Sequence, residues 1–357
     1  MKILVSVISI LLGFVAGALL MLSSGANPLT GFSYLFQGAQ GVTRICNTIA
    51  YAVPLMLTGL SVTFAFKTGL FNIGAPGQML IGACSPMCWP HRRLPGRCCC
   101  RSSSPRRSSA AWCGGGPRLL TARFNVNEVV SCIMMNWVAY WVVYIVITDH
   151  FKSTTIDTES QVIPAAASLK TEAITLLTKG SNLNLGIFIA IIATALVIFI
   201  LNRTVLGYEM KAVGFNRFAA EYGGINVQKN AVLAMVISGA LSGLAGLTFY
   251  CGYLSNMRIG VMPSQGFDGI AVALLANCAP VGVVFAAIFF AILQTGKGFM
   301  NAMMPIPPEI ADTIIATVIY FAATSKLIEM NLDRIKKFFG RKRPSKSEGS
   351  GEHVEHH

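Results

Sequence analysis

Two carboxylates and three amides lie in or beside long apolar runs, and they are the best candidates for chemistry in this 357-residue sequence. The carboxylates are Glu128 and Asp268, and the amides are Asn72, Gln78 and Asn136. Carboxylates at membrane depth are rare unless they serve a function, so these side chains are candidates for the polar lining of a translocation path. Glu128 and Asp268 each lie near the end of an apolar run, however, where a carboxylate can simply stabilise a helix N-terminus.

No stretch of the sequence has the spacing of a catalytic or metal-binding site. The G-x-x-x-x-G-K-[ST] motif that holds ATP phosphates is missing, and the Ser, His and Asp residues are scattered. Four single cysteines in apolar runs, Cys46, Cys132, Cys251 and Cys278, are expected to be small buried hydrophobic residues. The sequence therefore predicts that the chain is not an enzyme and has no catalytic residue, metal or cofactor.

The composition indicates an integral membrane protein. Hydrophobic residues make up 54% of the chain and charged residues only 12%, with a mean hydropathy of +0.60. A soluble protein would carry about 25% charged residues. The net charge of +13 suits cytoplasmic loops and anionic lipid headgroups. Nucleic-acid binding is not expected, because the chain lacks the large polar surface that such binding needs.

The chain is organised around the polar stretch from Leu201 to Asn230, because an apolar run long enough to cross a bilayer flanks it on each side. Its basic residues outnumber its acidic ones, which predicts a cytoplasmic loop. Within it, Asn216–Tyr222 is expected to form a short helix with Asn216 as the N-cap. Gly223-Gly224 is expected to stop this helix, with Gly223 in the left-handed conformation.

The small side chains of Ala219 and Ala220 would give this short helix a flat face. Such a face predicts a docking site for a soluble partner. An ordinary connecting loop is the alternative.

Three motifs resemble those of permeases from ATP-binding cassette (ABC) importers of the branched-chain amino acid, ribose and nucleoside group. They are GYEMKAVGFNRFAAEYGGINVQKN within the polar loop, which resembles the coupling loop, LFNIGAPGQMLIGA (Leu70–Ala83) and GFDGIAVALLA (Gly266–Ala276). The spacing in ANPLTGFSYLFQGA narrows the resemblance to the simple-sugar and nucleoside branch. It covers the chain from Met1 to about Asp333, although Pro76 stands where family members usually have an acidic residue.

The resemblance implies a permease subunit that moves a nucleoside or a simple sugar across the cell membrane. It implies three partners besides membrane lipid: ATPase subunits, a second permease that is similar or identical, and an external substrate-binding lipoprotein. The residues implied to couple to the ATPase are Gly214, Asn216, Ala219, Ala220 and Gly223. An ion-coupled secondary transporter acting through Glu128 or Asp268, and a structural subunit that transports nothing, are the alternative functions.

The apolar runs predict an all-α, polytopic protein of about ten transmembrane helices, with both termini in the cytoplasm. Residues 1–333 would form the permease domain and residues 334–357 a basic cytoplasmic tail. Asn27–Arg44 would lie outside, beginning with a turn. The glycine-rich Leu70–Ala83 would break or kink a helix where the freed backbone lines a cavity or meets protein. A helix that packs tightly on its neighbours is the alternative. The weak similarity of Gly69–Ala83 to Gly266–Pro280 indicates either inverted five-helix halves or chance.

The stretch from Cys84 to Gly116 differs from the rest of the chain. It holds six of the ten cysteines and six arginines but no acidic residue. A metal or redox loop is one interpretation, although the cysteines lack zinc-ligand spacing. The favoured hypothesis is that the reading frame of the gene is shifted in this stretch. One choice of codons for RCCCRSSSP, when it is translated from a start two bases later, encodes an apolar run of Leu and Pro. Such a run is what a membrane span requires.

Overall fold

Helices make up nearly all of the regular structure in the computed structural model, which describes residues 2–87, 127–163, 168–171, 174, 178, 180–304 and 307–323. Those residues form twelve α-helices: α1 Lys2–Ser23, α2 Pro28–Gln37, α3 Val42–Lys67, α4 Ala75–Met87, α5 Glu128–Val146, α6 Gly186–Arg203, α7 Val205–Phe215, α8 Arg217–Tyr222, α9 Val227–Thr248, α10 Gln265–Leu275, α11 Pro280–Met303 and α12 Pro308–Ala323. Two π-helical segments, Ile147–Phe151 and Phe249–Leu254, extend α5 and α9.

Five of the described helices are long and apolar enough to cross a membrane: α3, α6, α11, and α5 and α9 with their π-helical ends. A sixth span results if α1 and α2, which meet at a bend of 119°, are counted as one. The predicted all-α, polytopic membrane protein is confirmed, whereas ten spans and inverted halves stay predictions. Most of the 84–116 stretch and the whole 334–357 tail lie outside the described residues.

Helix α3 is the centre of the fold. It packs against α6, α9, α10 and α11, and every residue from Ala52 to Ala65 is buried. Lipid is as apolar as a leucine side chain, so the hydrophobic effect does not hold such helices together in a membrane. Close van der Waals packing and hydrogen bonds between helices do so instead.

The predicted break in the glycine-rich stretch is present. Helix α3 ends at Lys67, α4 begins at Ala75, and the backbone between them is not helical. This segment is largely buried against protein, with Leu70 and Asn72 almost inaccessible. The break therefore belongs to a packed interior, where a membrane protein tolerates irregular backbone.

Glycines bring the backbones of α4 and α9 into contact. A Cβ atom on Gly82 would lie 2.1 Å from the carbonyl oxygen of Gly243, and one on Gly246 would lie 2.0 Å from that of Met79. The two similar glycine-rich stretches also meet, since a Cβ atom on Gly266 would lie 2.6 Å from the backbone nitrogen of Pro76. Tight packing of small residues is thus the outcome for Leu70–Ala83.

Changing Gly246 to Ala is expected to destabilise the protein strongly. Overpacking a core typically costs about 1–3 kcal/mol, and a clash with backbone leaves no side chain free to move aside, so we expect the upper end of that range. The measurement is the thermal unfolding midpoint of the purified protein in detergent. Gly298→Ala on α11 is the control, because a Cβ atom there meets nothing within 4 Å. Equal midpoints for the two variants would contradict the close α4–α9 contact.

The segment expected to lie outside and to begin with a turn, Asn27–Arg44, is mostly helical. Asn27 caps α2 by accepting a hydrogen bond from the Leu29 backbone at 3.0 Å, and Pro28 takes the first helical position. Helix α2 packs against α11, where Leu35 joins a small core with Met21 and Leu293. Asn-Pro, interpreted as a turn in the sequence, is here a helix start, which the same residues favour equally well.

Candidate functional site

The polar loop contains two helices, α7 and α8, of which the sequence predicted only the second. Thr204 caps α7, accepting a hydrogen bond from the Gly207 backbone at 3.2 Å. Apolar side chains recur at helical spacing along α7, at Leu206, Met210 and Val213, and the last two are buried. That periodicity was the sequence pattern that could have revealed α7.

Helix α8 has the predicted N-cap. The Asn216 side-chain oxygen accepts hydrogen bonds from the backbone nitrogens of Phe218 at 3.0 Å and Ala219 at 3.2 Å. The expected left-handed ending at Gly223 is wrong, because Gly223 has φ −76° and Gly224 has φ +81°. The requirement for glycine therefore applies one residue later than the sequence suggested.

The expected flat face of Ala219 and Ala220 is also wrong. Ala219 is exposed, whereas Ala220 is only 5% exposed and packs within its own chain. The exposed surface of this region is aromatic instead: Phe215 is 91%, Phe218 84% and Tyr222 98% exposed. Protein surfaces that face water seldom expose several aromatic rings together, so this aromatic patch is typical of an interaction surface.

A groove of about 430 Å³ lies between α7 and α8. Its lining includes apolar and small groups together with one carboxylate: Val205, Tyr208, Glu209, Ala212, Phe215, Asn216, Ala219, Ala220, Gly223 and Ile225. The Glu209 carboxylate accepts a hydrogen bond from Asn230 at 2.8 Å, which ties α7 to the start of α9. The groove and the aromatic patch together can receive a protein ridge or helix.

Gly214 links this loop to the central helix. A Cβ atom on Gly214 would lie 2.3 Å from the carbonyl oxygen of Lys67, the last residue of α3. Gly69 faces it with φ +74°, and a Cβ atom there would lie 3.4 Å from the Gly214 Cα. Helix α7 is therefore in direct backbone contact with the junction between α3 and the broken segment.

Two of the predicted path residues, Asn72 and Gln78, lie in a buried hydrogen-bond network. Their side-chain amides exchange two hydrogen bonds of 3.0 and 3.3 Å, and Asn72 also accepts from the Gly74 backbone at 3.0 Å. Asn72 donates to Ser238 on α9 at 2.7 Å, and the Ser61 hydroxyl on α3 donates to the Ser238 carbonyl at 2.7 Å. The network fastens the broken segment to α3 and α9.

Asn136 on α5 supports the same segment from the other side. Its amide donates to the Ile73 carbonyl at 2.9 Å and accepts from the Gly77 backbone at 3.1 Å. In this conformation all three predicted amides therefore satisfy buried polar groups of the chain itself. Their part in a path stays a prediction. Sequence reasoning missed three serines that also join α3 to α9. The Ser61 hydroxyl on α3 forms hydrogen bonds with the hydroxyls of Ser238 and Ser242 on α9.

The two predicted carboxylates lie on different helices. Glu128 occupies the first turn of α5 behind its N-cap Asn127, whose side chain accepts from the Val129 backbone at 2.9 Å. Asp268 occupies the first turn of α10. Helix α5 packs on α4, and α10 packs mainly on α3 and also on α4, α11 and α12. Among the described residues, no group of three or more His, Cys, Asp or Glu side chains could hold a metal ion.

A family model for the permease component of branched-chain amino acid transport systems matches residues 44–323. The chain belongs to this permease family. It is therefore a transport component and not an enzyme. The match spans the buried network, the polar loop and the helices α3 to α12.

Two known permeases are similar to this chain over nearly its full length. It is 39% identical to the guanosine ABC transporter permease protein NupP of Bacillus subtilis, covering 94% of this chain and 97% of NupP. It is also 39% identical to the nucleoside ABC transporter permease protein NupB of Lactococcus lactis, covering 94% of each chain. NupC, a nucleoside ABC transporter permease protein of the same Lactococcus, is 24% identical over 77% of this chain and 88% of NupC. No solved structure matches the chain significantly.

Proposed function

We propose that this chain is the membrane permease subunit of an ABC importer that moves nucleosides into the cell, driven by separate ATPase subunits. The observation that carries the proposal is helix α8, whose aromatic side chains are exposed on the polar loop. The chain that presents this helix is 39% identical to two nucleoside permeases. The full sequence has no G-x-x-x-x-G-K-[ST] motif, so in this proposal separate ATPase subunits bind the ATP. A simple sugar is the second substrate class.

The proposed topology has about ten spans, with both termini and the 201–230 loop in the cytoplasm. The loop's excess of basic residues supports this orientation. ATP is present in the cytoplasm, so an ATPase can bind α8 only if the polar loop lies on the cytoplasmic side of the membrane. The residues proposed to couple to it are Asn216 as the cap, Ala219 with the exposed aromatic side chains as the contact surface, and Gly214, Ala220 and Gly223 as internal supports.

We infer that the second permease of the pore is a similar but different chain. Lactococcus lactis has both NupB and NupC named as nucleoside ABC transporter permease proteins, and this chain is 39% identical to NupB but only 24% identical to NupC. A chain of the NupC kind is thus the natural partner. An external binding lipoprotein would deliver the substrate to the opposite face.

Uptake in cells tests this function against the ion-coupled alternative. We expect nucleoside uptake to disappear when the gene of the ATPase partner is deleted, and to continue when an ionophore collapses the proton or sodium gradient while ATP is maintained. Uptake that survives without the ATPase and stops with the ionophore would instead make the chain a secondary transporter acting through Glu128 or Asp268.

A cysteine introduced at Glu221 tests the orientation of the loop. Glu221 is exposed on α8, so its replacement should react readily with a thiol reagent. We expect an impermeant maleimide to label Glu221→Cys in inside-out vesicles but not in intact cells. The background chain should have all ten native cysteines changed to Ala or Ser, so that only the introduced thiol can react. Labelling of intact cells would reverse the proposed topology.

A further inference from the structure

A second cluster of polar side chains lies away from the polar loop and the buried amide network, where α3 meets α10. The Gln265 amide on α10 donates a hydrogen bond to the Tyr51 hydroxyl on α3 at 3.0 Å. Asp268 follows Gln265 by three residues, so both side chains project from one face of α10. The Asp268 carboxylate is within electrostatic range of Tyr51.

Asp268 has an acceptor atom that none of the described residues uses. Its Oδ2 atom is buried and accepts no hydrogen bond from any residue that the structure describes. A carboxylate oxygen buried without a donor is unfavourable, and a ligand that supplies an N–H group would relieve that cost. Lys297, a cation that acts on this carboxylate, is hydrogen-bonded to Asp312 on α12. The unused Asp268 oxygen is therefore suited to a ligand with N–H donors.

Aromatic rings form a wall beside these polar groups. The Tyr51 ring contacts Phe249 and Tyr253 edge-on, with ring centroids 6.4 and 5.5 Å apart. Phe249 and Tyr253 lie nearly parallel, with centroids 6.0 Å apart and planes 9° apart. Tyr51 and Tyr253 are only half-buried, so part of the wall is accessible. Such rings stack on planar heterocycles, as they do on nucleic-acid bases.

The cluster lies in the half of the membrane domain away from the polar loop. Tyr51 comes nine residues after the start of α3 at Val42. At 1.5 Å per residue it is therefore about 14 Å from that end, whereas Lys67 at the other end touches the loop. With the loop in the cytoplasm, the cluster lies in the outer half, which an imported substrate meets first.

We propose that Asp268, Gln265 and Tyr51, with Phe249 and Tyr253 as the stacking wall, form a recognition site for a purine base that carries N–H donors. This inference rests on the proposed function and deepens it. Guanine presents its N1–H and its 2-amino group side by side, so both can donate to one carboxylate. Adenine has one donor on the same edge, its 6-amino group, beside the bare acceptor N1, so it can donate to only one oxygen of the carboxylate while N1 faces the other. The site therefore favours guanosine over adenosine.

The test uses the complete transporter in proteoliposomes, with uptake of guanosine and adenosine measured separately. Asp268→Asn keeps the size of the side chain but replaces an acceptor with an amide group. We expect it to lower kcat/KM for guanosine at least tenfold and that for adenosine less than threefold, since a bidentate contact to a base discriminates by about tenfold or more. The affinity of the separate binding protein for guanosine should not change.

Glu309→Gln is the matched control, because Glu309 is also an acidic residue in the first turn of a helix but is exposed. We expect it to leave both uptake rates unchanged. Tyr51→Phe, which keeps the ring and loses the hydroxyl, provides a second variant if Asp268→Asn does not assemble, and it should reduce guanosine uptake more than adenosine uptake.

Equal losses of guanosine and adenosine uptake in the assembled variants would overturn the recognition site while leaving the proposed nucleoside transport intact. A wild-type transporter that carries neither nucleoside would overturn the proposed function itself. The two failures are distinguishable because the wild-type rates are measured before any variant is compared.

Discussion

Changing Phe218 to Ala is expected to weaken the binding of the ATPase to this permease at least tenfold and to reduce nucleoside uptake by a similar factor. Phe218 is 84% exposed on α8, next to the groove between α7 and α8. Aromatic side chains of this kind dominate the binding energy of interfaces, and truncating one commonly costs about 2 kcal/mol or more. The measurement is a pull-down of the ATPase with the permease at a series of ATPase concentrations.

Phe199→Ala on α6 is the matched control for Phe218→Ala. Phe199 is also an exposed phenylalanine, but it lies on an apolar helix that is long enough to span the membrane. Removing its ring should leave ATPase binding and uptake unchanged. An ATPase that binds the Phe218→Ala permease as tightly as the wild type would contradict the docking role of α8.

Variants of Ala219 and Ala220, the two residues after Phe218, distinguish contact with the ATPase from packing within the permease. Ala219 is exposed, so Ala219→Glu should interfere with docking while the permease itself stays stable. Ala220 is 5% exposed, so Ala220→Glu would bury a charge within the loop and disturb the permease directly. Thermal unfolding of the isolated permease distinguishes these two effects.

Changing Asn72 to Leu is expected to destabilise the membrane domain by about 3 kcal/mol or more. The change leaves three buried polar groups without their partner: the Gly74 backbone N–H, and both the carbonyl and the amino group of the Gln78 side chain. Each buried group that loses its hydrogen bond costs about 1–3 kcal/mol. The measurement is the unfolding midpoint in detergent, together with the amount of folded protein recovered from membranes.

Thr63→Val on α3 is the control for this second change. The Thr63 hydroxyl is buried and has no hydrogen-bond partner among the described residues, so valine of the same shape should be neutral or stabilising. A similar midpoint for Asn72→Leu and Thr63→Val would show that the amide network does not hold the broken segment in place.

Local features of the fold were predictable because local chemistry determines them. Asn216 caps α8 as expected, since a cap needs only a side-chain oxygen and the next backbone N–H groups. The break after Lys67 was expected from the density of glycines in Leu70–Ala83. The position of the left-handed residue was not, because Gly223 and Gly224 are equally able to adopt that conformation and packing decides between them.

The parts of the site that depend on distant residues were not predictable. Ser61 bonds with Ser238, which is 177 residues away along the chain, and no local pattern encodes that pairing. The burial of Ala220 depends on how α7 folds back on α8, so its sequence neighbours could not reveal it. Asn72 and Gln78 were predicted to line a translocation path, which stays a prediction, and only the fold shows that they bond to each other.

ATP-driven uptake by purified components tests the central claim most directly. The permease, its partner permease and the ATPase would be placed in proteoliposomes, and labelled guanosine would be supplied with the binding protein on the external side. We predict that guanosine accumulates only when ATP is present on the ATPase side, and that ionophores which collapse proton and sodium gradients do not change the rate. Accumulation without ATP that stops when the ion gradient is collapsed would contradict an ABC permease.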